Sequence, residues 1–493
     1  MMAAGRSAAV KVAVTAAVCP LVFAGAAQAV AGTQMPGGAR AAALAGTWHG
    51  AQKVPGVATL NTGGEAQVQS VSCASAGNCG AGGYYTDRSG HHQVFVDSEV
   101  NGTWRTAKEV PGTATLNQGG NANIFAVSCG SAGNCGAGGY YTDGSGHTQA
   151  FLVRQVSGTW RTAIEVPGTA ALNVHGNAEI SSVSCASAGN CSAGGSYKDG
   201  SWNYQAFVVS EVNGTWRTAI EVPGTAALNV HGDASVISVS CASAGNCSAG
   251  GQYVDSSWSG QAFVVSQVNG TWRKAMEVPG TAILNKGGAW IVSVSCGSAG
   301  NCSAGGTYGD GERSGVATRQ VFVVNEVNGT WHTAVEVPGT AALNTGGGAD
   351  MYAVSCASAG NCSAVGSYFT SYSHAFVVSE VNGTWHTAIQ VPGTAALNQG
   401  RIAYAISVSC APAGNCSAGG TYTDSSGHMQ AFVVSEVNGT WHAATRVPGT
   451  ATLNQGGNAF VQSVSCASAG SCSAGGGYTD SSGHRQAFVV KES

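Results

Sequence analysis

Charged side chains are scarce in this chain of 493 residues, where Asp, Glu, Lys and Arg together account for 9%, well below the share usual in globular proteins. A disordered chain kept open by its charges is excluded, because 44% of the residues are apolar. A basic surplus is also lacking, since 20 Lys and Arg stand against 24 Asp and Glu. Proteins that bind nucleic acid or anionic membranes depend on such a surplus. We therefore expect neither of these partners.

Motifs of several common chemistries are missing as well. The sequence contains no nucleophile elbow, no phosphate-binding loop, no HExxH pair and no dinucleotide-binding fingerprint. It therefore gives no reason to expect a cofactor, and it nominates no catalytic residue.

A long membrane-spanning run is not present, but the amino terminus has the pattern of a secretory signal peptide. Arg6 and Lys11 provide positive charge, residues 12–27 are mostly apolar, and Ala27-Gln28-Ala29 fits a cleavage site. The apolar run is too short for a membrane anchor. Cleavage after residue 29 leaves a secreted, extracellular protein in which 18 basic residues stand against 24 acidic ones, a net charge of −6.

Glycine is abundant instead, with 74 residues, and the chain is built from a repeat of about 56 residues. Gly-Thr-Trp occurs eight times, and an Ala/Val-Phe element that normally precedes it by nine residues also occurs eight times. The tryptophans are Trp48, Trp104, Trp160, Trp216, Trp272, Trp331, Trp385 and Trp441, and the phenylalanines are Phe95, Phe151, Phe207, Phe263, Phe322, Phe376, Phe432 and Phe488. Their default interpretation is packing between repeats.

The two ends of the repeat array do not match. Trp48 has no Phe element before it, and Phe488 has no Trp element after it. A closed ring needs such a divided unit when the chain start completes its last blade, whereas an open solenoid needs polar caps. We predict an all-β, eight-bladed β-propeller of four-stranded antiparallel blades, closed by the N-terminal strand. It spans residues 45–493 as a single domain after a flexible leader at 30–44.

One unit, residues 182–222, shows why four strands are expected. Short runs at 183–186, 191–197, 205–212 and 215–222 are separated by turn-forming sequences, among them Asn213-Gly214. Three short connections and one of about a dozen residues predict a meander with the Val-Ser-Cys strand innermost and the Thr-Trp strand outermost. Residues 47–54 then supply the outer strand of the last blade.

Cysteine follows the same repeat. Cys19 falls within the predicted signal peptide, and the other 16 cysteines form eight Cys-x5-Cys pairs. The pairs are Cys73 with Cys79, Cys129 with Cys135, Cys185 with Cys191, Cys241 with Cys247, Cys296 with Cys302, Cys356 with Cys362, Cys410 with Cys416, and Cys466 with Cys472. An even number in a secreted chain indicates disulfides. Zinc would need further ligands close by, and the intervening residues are mainly Ser, Ala, Gly and Asn. We expect eight local disulfides and no metal.

The repeat resembles a known group of proteins. Val-Ser-Cys-Ala-Ser-Ala-Gly-Asn-Cys-Ser-Ala-Gly-Gly-Ser-Tyr at 183–197, followed by Gln-Ala-Phe-Val-Val at 205–209, is similar to secreted repeat proteins of actinobacteria. His374-Ala375-Phe376 is loosely similar to the extracellular HAF repeat family, named for this element. The resemblance covers residues 45–493 and implies a propeller-like fold. It implies no catalytic residue.

Acidic residues mostly recur at equivalent positions of the repeat. One set is Glu99, Glu211, Glu380 and Glu436, and a second is Glu109, Glu165, Glu221, Glu277 and Glu336. A residue repeated around a ring is typical of architecture, whereas a catalytic acid is a singular feature. A glycosidase would need two converging carboxylates, and the sequence identifies no such pair.

Two connections do differ from blade to blade, namely the turn between the second and third strands and the approach to the innermost strand. In a four-stranded meander both open on the same face. They carry His175, His231 and Arg401 together with the aromatic residues Trp202, Tyr204, Trp258, Trp290, Tyr352 and Tyr404. Two interpretations stay open: neutral variation at tolerant loop tips, and a rim that binds a sugar or a protein through aromatic side chains.

The leading hypothesis is therefore a secreted, non-catalytic, monomeric β-propeller that binds an extracellular carbohydrate or protein. An extracellular enzyme acting on polysaccharide is the alternative, since propeller loops can carry such sites. A purely structural secreted protein is the third possibility.

Overall fold

A computed structural model describes residues 46–313 and 316–493. Within these ranges the chain forms eight antiparallel sheets in sequence order. The innermost strand of each sheet packs against the innermost strand of the next, and the first packs against the last. The protein is thus an all-β, eight-bladed β-propeller, with blades numbered here one to eight from residue 66. The predicted signal peptide at 1–29 and leader at 30–44 lie outside the described residues.

Three strand positions run outward from the axis in every blade. The innermost strands are Ala66–Ser75, Ala122–Ser131, Ala178–Ser187, Ser235–Ser243, Ala289–Ser298, Ala349–Ser358, Ala403–Cys410 and Ala459–Ser468. The second strands are Asn78–Thr86, Asn134–Thr142, Asn190–Lys198, Asn246–Val254, Asn301–Arg313, Asn361–Phe369, Cys416–Thr423 and Ser471–Thr479. The third strands are His92–Val100, Thr148–Val156, Tyr204–Val212, Gly260–Val268, Val316–Val327, Ser373–Val381, Met429–Val437 and Arg485–Glu492.

The outer position consists of two short segments rather than the continuous strand expected at 215–222. The first segments are Thr103–Trp104, Thr159–Trp160, Thr215–Trp216, Thr271–Trp272, Thr330–Trp331, Thr384–Trp385 and Thr440–Trp441. The second segments are Lys108–Glu109, Ile164–Glu165, Ile220–Glu221, Met276–Glu277, Val335–Glu336, Ile389–Gln390 and Thr445–Arg446. The break has a physical cause, because the Ala219 N–H between the segments donates to the Pro167 carbonyl of the preceding connection at 2.7 Å. Equivalent bonds form around the ring.

Each connection between blades contains a single helical turn, which the sequence pattern does not predict. The turns are Val57–Leu60, Thr113–Leu116, Thr169–Leu172, Thr225–Leu228, Thr281–Leu284, Thr340–Leu343, Thr394–Leu397 and Thr450–Leu453. Gly224, with φ 91°, leads the chain into one of them. Asn229 follows it, and its side-chain amide donates to the Tyr204 carbonyl at 3.0 Å. Four residues are too few for a helical periodicity to be visible in a sequence.

The first described residues close the ring. Gln52 and Lys53 pair antiparallel with Val489 and Phe488 of the last third strand, and Trp48 forms a bridge with Glu492. The prediction that the N-terminal strand completes the last blade is therefore confirmed.

The Val-Ser-Cys strands bond to one another directly around the axis. The Ser184 Oγ accepts a hydrogen bond from the Cys241 backbone N–H of the next blade at 2.9 Å. The same bond recurs between the other adjacent blades. The Cys73 N–H donates to the Ser465 Oγ at 2.9 Å and so spans the junction of last and first blades. This bond explains why serine precedes each first cysteine.

The predicted disulfides are confirmed. Within the described ranges eight disulfides form, and each clips the hairpin between the innermost and second strands of its own blade. Such cross-links indicate an oxidising environment. They join Cys73 with Cys79, Cys129 with Cys135, Cys185 with Cys191, Cys241 with Cys247, Cys296 with Cys302, Cys356 with Cys362, Cys410 with Cys416, and Cys466 with Cys472.

The core lies between neighbouring blades. The Phe of every repeat is fully buried, and Phe207 shares its cluster with Trp216, the Cys185–Cys191 disulfide and Leu152 of the preceding blade. The Tyr197 ring tilts against Phe207 at a centroid distance of 6.2 Å. These contacts confirm that the repeated Phe and Trp residues pack between blades.

Candidate functional site

The two faces of the ring have different content. On one face the disulfide hairpin meets the Asn-Gly hairpin, as in the 2.8 Å bond from the Gly102 N–H to the Gly77 carbonyl. On the opposite face the turn between second and third strands meets the connection from the preceding blade. The stacked rings of Trp202 and His175 join these two connections directly. The prediction that both variable connections open on one face is confirmed, and we call it the variable face.

An aspartate builds the turn between the second and third strands. The Asp199 Oδ1 accepts bonds from the Ser201 and Asn203 N–H groups at 2.8 and 3.0 Å, and its Oδ2 accepts one from the Gln205 amide at 2.9 Å. Desolvation by itself raises the pKa of Asp199, but these hydrogen bonds outweigh it and leave the pKa lowered. Asp87, Asp143, Asp255, Asp424 and Asp480 build the same turn. The turn is therefore a fixed frame.

Trp202 and Trp258 occupy a backbone position in this turn that favours glycine. Four other blades have a left-handed glycine here, namely Gly90, Gly146, Gly427 and Gly483. Trp202 and Trp258 adopt φ values of 68° and 61°, a conformation that costs an L-residue roughly 1–2 kcal/mol. Their side chains are 64% and 75% exposed. Neither the turn nor the core requires these two tryptophans.

Each of these tryptophans lies flat on a histidine. His175 stacks on Trp202 at a centroid distance of 3.8 Å and an angle of 16°, and His231 stacks on Trp258 at 3.6 Å and 12°. The histidine Nε2 atoms donate to the carbonyls of Gly200 and Ser256 at 3.1 and 3.2 Å. Both histidines belong to the sequence Asn-Val-His-Gly, which occurs only at 173–176 and 229–232. We call these two stacks the His-Trp platforms.

The platforms belong to adjacent blades and are joined through the backbone. The Tyr204 N–H donates to the Gly232 carbonyl at 2.8 Å, and the Ala234 N–H donates to the Tyr204 carbonyl at 2.9 Å. Tyr204 follows Trp202 by two residues, and Gly232 follows His231 directly. The strand that leaves the first platform is thus paired with the loop that carries the second.

Tyr204 and Lys198 complete the surroundings of the first platform. The Lys198 Nζ lies 4.8 Å from the Trp202 ring centroid and 5.3 Å from that of Tyr204. The Asn177 amide donates to the Tyr204 hydroxyl at 2.7 Å. Desolvation, with the negative charges of Glu179 and Asp233, raises the pKa of Tyr204. The phenol therefore stays neutral.

Trp290, Tyr352 and Tyr404 lie on innermost strands, and all three are half-buried. Innermost strands surround the central channel of a propeller, so these rings lie nearer the axis than the platforms. Tyr352 and Tyr404 meet edge to face at 6.2 Å and 84°, and the Ser367 Oγ donates to the Tyr352 hydroxyl at 3.2 Å. Of the six predicted aromatics, the structure brings together Trp202 with Tyr204, through Lys198, and Tyr352 with Tyr404.

Sequence reasoning did not single out Lys198 or a charged cluster where blade eight meets blade one. There the Arg485 guanidinium lies 3.4 Å from the Glu65 carboxylate, and the Tyr84 hydroxyl donates to Glu65 at 3.1 Å. Tyr84 also stacks on His92 at 5.3 Å. These residues interrupt the repeat, which is the signal that could have identified them. Their contacts cross the closing junction and support ring closure.

The disulfide cysteines belong to the opposite face and take no part in the platforms. The second cysteine of a pair contacts the preceding blade, where the Cys79 Sγ lies 3.6 Å from the Ser473 Oγ. Cys135 faces Gly80 instead, and a Cβ added at that glycine would lie 3.2 Å from the Cys135 Sγ. All these cysteines are buried, so their role is packing rather than ligand contact. The contact with a serine recurs at Cys247 and Ser192, 3.5 Å apart, and at Cys302 and Ser248, 3.4 Å apart.

The repeated glutamates lie on the face opposite the variable face and bond to the preceding blade. Glu326 accepts bonds from Ser266 at 2.6 Å and Ser248 at 2.8 Å, and the Trp331 indole N–H donates to the same Ser266 at 3.1 Å. Glu436 and Glu492 have equivalent serine partners. This confirms their architectural role.

Two substitutions show how this arrangement depends on the serine. Arg154 and Lys491 occupy its position in blades two and eight, and neither side chain can accept a hydrogen bond. The indole N–H groups of Trp216 and Trp104, which face them, are buried without a partner. Arg154 instead lies 3.5 Å from the Glu211 carboxylate.

A cavity of about 390 Å³ opens between blades six and seven on the same face as these glutamates, with Glu380 and Glu436 in its lining. Burial raises the pKa of both carboxyls, and serines of the preceding blade bond to each. Across residues 46–313 and 316–493, no three His, Cys, Asp or Glu side chains are grouped to hold a metal ion. No helix in the described part of the chain is long and apolar enough to cross a membrane.

No protein family matches the chain, and no curated protein matches it in sequence. Three solved structures illustrate its distant structural similarities. The propeller domain of the Trilobed protease from Pyrococcus furiosus has 7% identity and a TM-score of 0.42, over 77% of this chain and 95% of that one. An ulvan lyase has 8% identity and 0.42, over 83% and 95%. The Hadza microbial sialidase has 12% identity and 0.36, over 69% and 68%. Similarities this distant carry no argument about activity or ligand.

Proposed function

We propose that the protein is a secreted, non-catalytic binding module whose variable face holds an extracellular carbohydrate or protein. The observation that carries this proposal is the pair of exposed tryptophans, each held flat by a histidine at a position where other blades use glycine. Backbone strain persists mainly where function requires it. A large, fixed and exposed indole face is well suited to bind a ligand.

The wider proposal has three parts. The eight disulfides and the N-terminal sequence pattern support secretion with removal of residues 1–29. Residues 30–44 then form a leader, and 45–493 form one monomeric propeller domain. Tyr204, Trp290, Tyr352 and Tyr404 extend the binding surface from the platforms towards the channel. Each aromatic contact contributes roughly 1 kcal/mol to binding.

An enzyme acting on polysaccharide is the alternative, and it requires a singular acid that substrate can reach. Asp97 is singular, because the equivalent residue is valine in the other blades, as at Val209 and Val265. Its side chain is, however, only 3% exposed and lies inside the blade. The exposed aromatic rings therefore favour binding over catalysis, and their strain disfavours a purely structural role.

The test combines a glycan array with a pull-down from the culture of the producing organism. We compare the wild-type protein with the double variant Trp202→Gly/Trp258→Gly, in which glycine restores the residue found in four other blades. The control is Ile220→Ala, which removes a 44% exposed side chain from an outer strand of blade three. We expect the wild type and the control to retain a ligand that the double variant loses. Equal retention by the double variant would overturn the proposal.

A further inference from the structure

We infer that the two His-Trp platforms form a bipartite site for a β-1,4-linked polymer of neutral hexoses, glucose or N-acetylglucosamine, with one sugar ring on each tryptophan. This inference rests on the proposed binding function and names the ligand class.

The duplication of the platform points to a ligand that itself repeats. The two stacks differ by only 0.2 Å in centroid distance and 4° in angle. The same Asn-Val-His-Gly sequence supports both, and they lie on adjacent blades joined at Tyr204 and Gly232. A polymer presents the same chemical unit to both platforms. A folded protein surface presents a different patch to each, so it gives no reason for two identical units.

The chemistry of each platform suits a pyranose ring. The histidine covers one face of the indole, and the high exposure of Trp202 and Trp258 leaves the other face free. Equatorially substituted hexoses have a flat C–H face that packs on such a ring, while their hydroxyls need polar partners. The Tyr204 hydroxyl, the Asn177 amide and the Asp233 carboxylate lie beside the first platform. β-1,4 linkage keeps successive flat faces in an extended ribbon.

The surrounding charge favours a neutral polymer. Asp199 and Asp255 build the turns under the two tryptophans, and Glu179 and Asp233 act on Tyr204. Lys198 is a basic group in contact with the first platform, where it lies over Trp202 and Tyr204. The acids outnumber it, so uronic or sulfated chains are repelled while uncharged hexoses are not.

The experiment measures binding of cellohexaose and chitohexaose, and of the corresponding disaccharides, by calorimetry and tryptophan fluorescence. We expect at least one hexasaccharide to bind about tenfold more tightly than its disaccharide, because it reaches both platforms. Trp202→Gly and Trp258→Gly should each lower hexasaccharide affinity about fivefold, which corresponds to one lost stacking contact. Disaccharide affinity should change less in each single variant, and Ile220→Ala should change neither.

Three results would overturn the inference. The first is no binding of either hexasaccharide, the second is equal affinity for hexasaccharide and disaccharide, and the third is unchanged hexasaccharide affinity in both single variants. If the pull-down still captures a ligand that Trp202→Gly/Trp258→Gly loses, the proposed function stands and only the polysaccharide assignment fails. If the double variant behaves as wild type in every assay, both fail.

Discussion

At the scale of single residues, Asp97 departs furthest from the repeat. Its equivalents in the seven other blades are Val153, Val209, Val265, Val324, Val378, Val434 and Val490. The carboxyl is buried, and its Oδ2 has no hydrogen-bond partner. Desolvation raises the pKa of Asp97 to about 7, despite a bond from the Ser98 N–H, and the negative charge of Glu99 adds to the rise. The first blade therefore carries an acid that the fold disfavours in its charged form.

This predicts a pH-dependent gain in stability for Asp97→Val. A carboxyl whose pKa is raised on folding contributes no penalty below its unfolded value, and the fold loses stability as pH rises from there through about 7. We expect the variant to gain about 3 kcal/mol in free energy of unfolding at pH 8 and much less at pH 4. Urea titrations at the two pH values measure this difference. An equal gain at both would contradict the charge-based cause.

The repeated and non-repeated tryptophans should respond differently to truncation. Trp216 is 9% exposed within a core cluster, and its indole N–H has no partner to lose. We expect Trp216→Ala to destabilise the fold by about 3–5 kcal/mol through lost packing alone. Trp258→Ala and Trp290→Ala should leave the melting transition nearly unchanged while weakening ligand binding. If both unfold the protein as severely as Trp216→Ala, these rings are core and the binding surface must be abandoned.

At the scale of elements, the first strand segment has the largest predicted effect. Gln52 and Lys53 pair with the last third strand, and the Ala51 N–H donates to the Pro448 carbonyl at 2.7 Å. Deleting residues 45–56 removes these bonds and exposes the edge of blade eight. We expect a much lower melting temperature than after deletion of 30–43, a stretch rich in Gly and Ala. Calorimetry of the two truncated proteins makes the comparison, and equal melting temperatures would count against the closure.

Strands and ring closure could be predicted because the repeat copies each of them many times. The period of the Trp and Phe elements and the Asn-Gly turns define the third and outer positions of every blade. The helical turns and the break at Arg217–Ala219 could not be predicted. The break results from the bond between Ala219 and Pro167, a contact across more than 50 residues of chain that no local pattern records.

The candidate site was predictable only in part. Trp202 and Trp258 stand out because they interrupt the repeat, but their stacking partners lie in a separate connection. Co-occurrence of Asn-Val-His-Gly with a tryptophan in the same two blades was the available signal. The edge-to-face contact of Tyr352 with Tyr404 joins two blades, and its geometry depends on how the ring brings those blades together.

At the scale of the whole molecule, three concentric sets of hydrogen bonds join the blades. Serine and cysteine backbone bonds lie near the axis, glutamate–serine bonds lie further out, and alanine–proline backbone bonds lie at the periphery. Most of these groups are neutral, which accounts for a large protein with so few charges. Buried polar groups of this kind stabilise a fold when each has its partner.

The disulfides form no covalent link between one blade and another. Each closes a hairpin within its own blade, with a sequence separation of 6. We expect reduction to add sixteen hydrogens to the intact mass, one for each paired cysteine. The ring should keep its far-ultraviolet spectrum but unfold at lower denaturant, since each short loop contributes about 2 kcal/mol. Alkylation of the unreduced folded protein would contradict full pairing.

The completion of the last blade by the first strand also separates the order of synthesis from the order of assembly. The ribosome releases residues 48–53 early, yet their partner Arg485–Glu492 is the final strand to be made. Until then blade eight has an unpaired edge, and the first strand of another molecule fits that edge equally well. Each chain thus has two ways to complete itself. Dilute refolding selects closed monomers, and concentrated refolding selects strand-exchanged chains whose every blade is native.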